Sequence, residues 1–390
     1  MSLQAKGLLT NPLGLYLHVP FCATTCDFCS FYQNAPSRPD VESYLETMEA
    51  ALRWRSPSRA VDTVFWGGGT PGLLTARDLE RLGSAMLSAL PKRPQEWSIE
   101  MAPSAIKRDK IHALKDLGVN RISIGIQSFD DALLTKLGRQ HSRKQVFRSI
   151  ETVQSAGFEN INLDLIFALP GQSFEQWSRD IDTALSFNPT HLSTYCLTFE
   201  EDTKLWARLQ RGEVHRQSEE DEARFYEKTW EKLGAAGLQQ YETSNYARPG
   251  YACQHNLHTW QMHDWIGYGP SASSQYQGKR FTEVASLDEW TTSVRERSPN
   301  YAEEVYLDSR ILASDALVFG LRMNAGVSPG ELEERFPGDH WISFHRLIDN
   351  LNEEGLIEAT KSNWRLTPRG RLVADAIGSA ILESSDVIVP

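Results

Sequence analysis

Residues 15–29 read LYLHVPFCATTCDFC, and this stretch decides the fold that the sequence predicts. Its first part, Leu15–Val19, alternates aliphatic with polar or aromatic residues, which is typical of a β-strand. Its second part places Cys22, Cys26 and Cys29 in the spacing C-x3-C-x2-C. The chain holds 5 cysteines, so most of its thiols lie in one loop behind one strand.

Three clustered thiols indicate a soft-metal site, because thiolates bind zinc, copper(I) and iron–sulfur clusters. A structural zinc site normally closes with four ligands, and only His18 lies nearby. A cubane cluster usually takes four cysteines, so three leave one iron open to an outside ligand. A zinc-stabilised, non-catalytic protein is the alternative. The remote Cys196 and Cys253 are expected to be small buried apolar side chains.

Short β-branched runs alternate with amphipathic stretches over the first 240 residues. The predicted strands are Leu15–Val19, Thr63–Trp66, Ser98–Met101, Arg121–Gly125, Ile161–Phe167 and His191–Leu197. The predicted helices lie near residues 39–54, 75–89, 104–117, 143–157, 174–187 and 218–236. Successive βα units imply an α/β fold with a parallel sheet. A (β/α) barrel, open or closed, fits this order best, and a doubly wound sheet is the alternative.

Polar and glycine-rich segments come at or just after several of these strands. After the cysteine loop they are GGGTP at residues 67–71, Glu100, Gln127 and Asp164. Because the chemistry of (β/α) barrels is built at the carboxyl ends of the strands, we expect these residues to share one rim.

The pattern changes after about residue 240. An aromatic-rich segment, HNLHTWQMHDWIGYGPSASS at residues 255–274, is followed by about 90 residues with helix, helix and hairpin patterns. The predicted organisation is a barrel at 1–245, a segment that closes it at 246–300, and a small winged-helix-like α+β domain at 301–390. The acidic composition of this last unit favours a packing or partner role over DNA binding.

Composition excludes several classes of protein. The net charge of −11 argues against a nucleic-acid partner. No apolar run approaches the roughly 20 residues that span a bilayer. Residues 1–14 show no secretion signal, and an odd number of partly clustered cysteines indicates a reducing, cytoplasmic location.

The C-x3-C-x2-C loop after a first strand resembles the radical S-adenosylmethionine (SAM) superfamily. This resemblance implies a partial (β/α)6 TIM-like barrel and a [4Fe-4S] cluster on Cys22, Cys26 and Cys29, with SAM on the fourth iron. It also implies reductive cleavage of SAM to a 5′-deoxyadenosyl radical. The residues that it implies for SAM binding are Tyr16, Phe28, Gly68, Gly69, Thr70 and Glu100, with Gln127, Arg139 and Asp164 matching contacts to a second SAM. Arg139 and Asp164 could instead form a structural ion pair.

The motifs LYLHVPFC, WGGGTP, VNRISIGIQSFDD, LGRQHS and NLDLIFALPGQ, in this order, resemble one branch of the superfamily. This branch contains oxygen-independent coproporphyrinogen III dehydrogenases and heme chaperones of the HemW type. The dehydrogenases carry a further cysteine at the position of Phe31, and an aromatic residue there resembles the chaperones. The segment CQHNLHTW resembles the chaperone motif HNxxYW, which implies His255 as a heme ligand, with His258 in reserve. Thr259 and Ser273 depart from the pattern and are expected at the edge of the active site.

The resemblance implies a heme chaperone that passes heme to apo-hemoproteins such as respiratory enzymes. Its implied partners are heme, those acceptors and a reductant such as flavodoxin, and a homodimer is a possible assembly. The alternative is a radical SAM enzyme acting on a tetrapyrrole or another small molecule. Its candidate activities are C-methyl transfer, heme degradation and oxygen-independent coproporphyrinogen III oxidation.

Overall fold

The computed structural model describes residues 12–385 and confirms the six predicted parallel strands. They are β1 Leu13–Val19, β2 Thr63–Gly68, β3 Glu96–Met101, β4 Arg121–Gln127, β5 Asn160–Phe167 and β6 His191–Cys196. These strands lie side by side in chain order. A doubly wound sheet reverses its strand order at a switch point, so the barrel alternative is the correct one. Over residues 12–385 the sheet stays open, because the strands added at its two edges do not pair with each other.

Amphipathic helices connect the strands, as the sequence predicts. The helices of this half are α1 Arg38–Trp54, α2 Ala76–Ala89, α3 Arg108–Leu117, α4 Asp131–Lys136, α5 Arg143–Ser155, α6 Phe174–Ser186, α7 Lys204–Gln210 and α8 Glu219–Ala235. The short α4 and α7 were not predicted. Local sequence explains the helix starts: Thr75 and Asp78 form a capping box at α2, and Ser173 and Gln176 form another at α6.

The chain after α8 extends the sheet at both edges. The added elements are β7 Gln239–Glu242, β8 Asn245–Ala247, α9 Gln254–Trp260, β9 Asp264–Tyr268, β10 Ser273–Tyr276, β11 Lys279–Glu283, α10 Leu287–Glu296 and β12 Tyr301–Tyr306. Strand β8 pairs antiparallel with β6, and β9 pairs parallel with β1. Strands β9 to β12 then continue antiparallel. The segment predicted to close the barrel therefore widens its sheet instead.

A small unit with its own apolar core follows β12. Its elements are α11 Ser309–Arg322, α12 Pro329–Arg335, α13 His340–Glu353, β13 Ile357–Ala359, β14 Trp364–Leu366, α14 Pro368–Leu372 and α15 Ala374–Ser385. The order of helices followed by a two-stranded hairpin matches the winged-helix-like prediction. The predicted boundary at residue 301 precedes β12, which pairs with β11 and so belongs to the large sheet.

Buried aliphatic side chains fill the space between the sheet and its helices. Among residues 12–385, no helix combines the length and the apolar composition that a membrane span requires. The prediction that no secretion signal is present concerns residues 1–14, of which 1–11 lie outside the described residues.

Candidate functional site

The cysteine loop is fixed to the rest of the protein at both ends. The Cys22 N–H donates to the Asn34 carbonyl over 2.9 Å, and the Asn34 N–H donates to the Pro20 carbonyl over 2.6 Å. At its far end the Asp27 N–H donates to the Leu137 carbonyl, at the end of α4, over 3.0 Å. These backbone bonds hold the loop above the carboxyl ends of the strands.

All three loop cysteines are free, half-buried and on the wall of one cavity of about 460 Å³. Cys22 Sγ lies 3.3 Å from Thr70 Oγ1, and Arg139 Nη1 donates to Cys26 Sγ over 3.2 Å. Burial raises the pKa of the Cys22 and Cys29 thiols, although the Thr70 hydrogen bond opposes this at Cys22. Burial therefore favours the protonated form of the Cys22 and Cys29 thiols, and metal binding would release those protons.

Most of the predicted site residues meet at this cavity. Those that line it are Cys22, Cys26, Phe28, Cys29, Gly68, Gly69, Thr70, Glu100, Gln127, Arg139 and Asp164. Tyr16 and His255 do not line it. Thr259 and Ser273 do not line it either, so the expectation that they stand at the edge of this site was wrong. The shared rim follows from the parallel strands, since the carboxyl ends of all six meet at one side of the sheet.

The glycine turn after β2 packs tightly against β1. Gly68 has a φ of +99°, and a Cβ atom there would lie 2.6 Å from the His18 ring. The N–H groups of Gly69 and Thr70 donate to the carbonyls of Val19 and Phe21 over 2.8 and 2.7 Å. In this structure those two N–H groups are therefore already paired within the protein.

Two buried carboxyl groups, those of Glu100 and Asp164, stand on the cavity wall. Burial, together with the nearby Asp164, raises the pKa of Glu100 to about 8. Burial also raises the pKa of Asp164, although Ser123 donates to its Oδ2 over 2.8 Å and Asn162 to its Oδ1 over 2.8 Å. Such a wall suits a cationic ligand group, which would favour the ionised form of both acids.

Arg139 is the cation of the cavity. It binds Cys26 and, through Nη2, the Gly125 carbonyl over 2.7 Å, and its Nε is buried without a partner among residues 12–385. No ion pair joins it to Asp164, so the structural-pair alternative is not what this fold forms. Gln127 lies beside it with a φ of +70°, a strained conformation that is common at functional sites.

Tyr16 lies below the cavity inside the barrel. Its ring stacks on Phe65 at 6.4 Å, and its hydroxyl lies 3.2 Å from His18 Nδ1. Burial raises the pKa of this hydroxyl. Tyr16 therefore lies on β1, the strand that leads into the cysteine loop, and contacts its neighbour strand β2 through Phe65.

The sequence analysis did not identify the part of the cavity wall at the carboxyl end of β6. The further lining residues are Thr24, Ser30, Phe31, Gln33, Met101, Ala102, Gly125, Ile166, Tyr195, Cys196, Leu197, Thr198 and Glu200. Cys196 was expected to be a buried apolar side chain but is half-buried on this wall, where burial raises its pKa to about 12. The available signal was the position of YCLTFE, residues 195–200, at the carboxyl end of the sixth strand. Cys253 is buried as expected.

His255 lies at the opposite end of the barrel. Its ring is 8% exposed, lies 3.0 Å from Thr63 Oγ1 and stacks on Phe65 at 5.4 Å. It approaches Gly14, five residues before the end of β1, and a strand of that length spans about 16 Å. Burial lowers the pKa of His255 to about 3, so its imidazole is neutral.

Glu96, the first residue of β3, holds the start of α9 in place. Its two carboxylate oxygens accept the N–H groups of Gln254 and His255, each over 3.0 Å. A carboxylate at a helix N-terminus pairs N–H groups that the helix itself leaves unpaired. Further along α9, His258 is half-buried and its ring lies 5.7 Å from that of His263 at 84°.

An open parallel barrel with three loop cysteines on a carboxylate-lined cavity defines a radical SAM protein, and the sequence model of the Radical SAM superfamily matches residues 16–184. The HemN C-terminal domain matches residues 307–373. The chain belongs to the family of the heme chaperone HemW. It is 33% identical to HemW of Bacillus subtilis, over 94% of this chain and 98% of the relative, and 38% identical to HemW of Escherichia coli, over 94% and 97%.

A solved structure supports the fold independently. The chain superposes on coproporphyrinogen III oxidase (HemN) from Escherichia coli with a TM-score of 0.83, covering 98% of this chain and 93% of that one. At 23% identity this likeness establishes the fold alone. Membership of the radical SAM superfamily implies a [4Fe-4S] cluster and SAM as cofactors.

Proposed function

We propose that this protein is a heme chaperone that binds heme and delivers it to apo-hemoproteins, such as respiratory enzymes. The observation that carries the proposal is the full-length match to relatives named heme chaperone HemW, which spans the cysteine loop, α9 and the C-terminal unit. Phe31 on the cavity rim, in place of a fourth loop cysteine, agrees with this assignment.

The cluster ligands in this proposal are Cys22, Cys26 and Cys29. Three free thiols on one cavity fit a cubane, whose cysteines bind separate irons and need not converge on one point. Within the described ranges, no three His, Cys, Asp or Glu side chains are arranged to hold a single metal ion. That arrangement favours a cluster over the zinc alternative.

The SAM-binding residues in this proposal are Phe28, Gly68, Gly69, Thr70, Glu100, Gln127, Arg139 and Asp164, and Tyr16, which the resemblance also implies, lies on β1 outside the cavity wall. Glu100 and Asp164 would face the cationic groups of SAM, and Arg139 would hold the cysteine loop and an anionic group. When bound to the reduced cluster, SAM supplies a 5′-deoxyadenosyl radical. The cavity residues orient it and exclude water.

Heme binding in this proposal uses the HNLHTW segment on α9, for which the motif predicts His255 as the ligand and His258 as the reserve. A one-electron reductant such as flavodoxin, a homodimer and a cytoplasmic location complete the proposal. The alternative activities keep the same cluster and SAM residues, so the fate of heme separates them from a chaperone.

An anaerobic absorbance experiment tests the function. The reconstituted protein receives one equivalent of heme, and the Soret band is recorded before and after SAM and reductant are added. A band that forms and persists supports the chaperone. A band that forms and then bleaches indicates heme degradation, and no band removes the heme proposal.

The cluster assignment has its own test with a control inside the same cavity. We expect Cys26→Ser to lose cluster iron and absorbance, whereas Cys196→Ser keeps both, because Cys196 is the last residue of β6 and lies outside the loop. Iron content per chain measures this. Equal loss in both variants would contradict the assignment.

A further inference from the structure

The chain has 10 histidines, all within the described residues, and most have a hydrogen-bonded ring nitrogen. The bonded ones are His18, His141, His191, His255, His340 and His345. His112 and His215 are exposed and separate from one another. His258 and His263 remain, half-buried and adjacent, and each has a buried Nδ1 without a partner in the part of the chain that the structure describes.

The turn after α9 creates this pair of histidines. Met262 adopts a φ of +59°, and the His263 N–H donates to the His258 carbonyl over 2.9 Å. The chain thereby folds back and sets the two rings edge to face at 5.7 Å. Buried polar groups normally find partners, so two unpaired imidazole nitrogens at one place point to a ligand.

A positive charge stands next to this pair. Arg335 of α12 donates to the carbonyls of Gln261 and Met262 over 2.9 and 2.6 Å. The Asp264 carboxylate interacts electrostatically with it, but among residues 12–385 the two form no ion pair, so the guanidinium can take a further carboxylate. Heme presents an iron that takes imidazole and two propionate carboxylates that take guanidinium.

His255 offers neither feature. Its ring is enclosed between Gly14, Thr63 and Phe65 at the floor of the barrel, and one nitrogen is already bonded to Thr63. An iron porphyrin could reach it only if α9 left its place. His258 lies one helical turn further along α9 and is partly open to solvent.

We infer that His258, with His263 beside it and Arg335 as the propionate partner, supplies the imidazole that binds heme iron, and that His255 anchors the helix that carries it. This inference rests on the proposed heme-chaperone function. It assigns the iron ligand to the histidine three residues after the one that the motif predicts.

The test uses the full-length, cluster-loaded protein with one equivalent of ferric heme. We compare the Soret band, the electron paramagnetic resonance spectrum of the ferric iron, and the heme retained after gel filtration. His258→Ala is expected to lose the imidazole-ligated spectrum and to retain heme about tenfold less tightly. Free imidazole should restore the spectrum, which a folding defect would not allow.

Two further variants decide the assignment. His255→Gln, which can keep a hydrogen bond to Thr63, should hold less heme but with the imidazole-ligated spectrum, and His112→Ala should match the wild type. A His258→Ala variant with the wild-type spectrum overturns the inference, as does loss of that spectrum in both His255→Gln and His258→Ala. If the wild type binds no heme at all, the proposed function fails with it.

Discussion

Arg139 donates a hydrogen bond from its guanidinium to the sulfur of Cys26 over 3.2 Å, and this bond joins the loop after α4 to the cysteine loop. A second bond to the Gly125 carbonyl anchors the same guanidinium to β4. A fixed positive charge next to one of three proposed cluster ligands affects the cluster directly, because hydrogen bonds and charge around the sulfurs set its reduction potential.

Replacing this guanidinium should make the cluster harder to reduce. A hydrogen bond to a charged group contributes about 1.5–3 kcal/mol, and 1.4 kcal/mol corresponds to about 59 mV for one electron. We therefore expect Arg139→Gln to lower the potential by about 60 mV or more, measured by anaerobic redox titration. Arg179→Gln, on the exposed face of α6, is the control. An unchanged potential at equal iron content would contradict the prediction.

The carboxyl group of Glu100 predicts a pH-dependent stability of the unloaded protein. Its pKa of about 8 in the folded state exceeds the value near 4.3 of an unfolded chain. The folded state therefore binds the proton more tightly, and its stabilisation is fully present below about pH 4 and is lost as the pH rises through about 8.

Urea unfolding at a series of pH values measures this effect. Between about pH 5 and about pH 8.5, the wild-type free energy of unfolding should fall relative to that of Glu100→Gln, which cannot ionise. Glu80→Gln, at an exposed position on α2, should follow the wild type. Parallel curves for the wild type and Glu100→Gln would show that Glu100 is not the group responsible.

The turn after β2 gives a backbone prediction. Ala at Gly68 would need a φ of +99° and would place Cβ 2.6 Å from the His18 ring. We expect Gly68→Ala to lower the free energy of unfolding by about 1–3 kcal/mol. Gly234→Ala on α8 meets no atom within 4 Å and should instead raise it by up to about 1 kcal/mol. Denaturant unfolding measures both, and a neutral Gly68→Ala would mean that the turn tolerates a side chain.

The barrel half of the fold could be predicted because its signals are local. Each strand of the six βα units is a short apolar run, and parallel strands bring their carboxyl ends to one rim. That rule alone predicts a shared position on the cavity wall for GGGTP, Glu100, Gln127 and Asp164. The Arg139–Cys26 bond could not be predicted, since it depends on how the loop after α4 packs over the cysteine loop.

The position of His255 depends on a distant pairing that the sequence does not reveal. Strand β9 runs parallel to β1, so the helix that precedes β9 must lie at the amino end of β1, away from the cysteines. A motif identifies residues that belong together in function, but it does not say on which end of the barrel they stand. The short strand β9 has two half-buried residues, and its sequence does not indicate whether it pairs parallel or antiparallel with β1.

Glu96 gives the last prediction, because it controls α9 without contacting the cysteine cavity. Its carboxylate accepts two N–H groups at the helix start, and Glu96→Gln replaces one acceptor oxygen with a donor that faces an N–H group. Loss of such a cap costs about 1–2 kcal/mol of stability. We expect less heme to be retained after gel filtration while cluster iron per chain stays unchanged, with the exposed Glu151→Gln on α5 as the control. A parallel loss of heme and iron would mean that the two ends of the barrel are not independent, and unchanged heme retention would place heme away from α9.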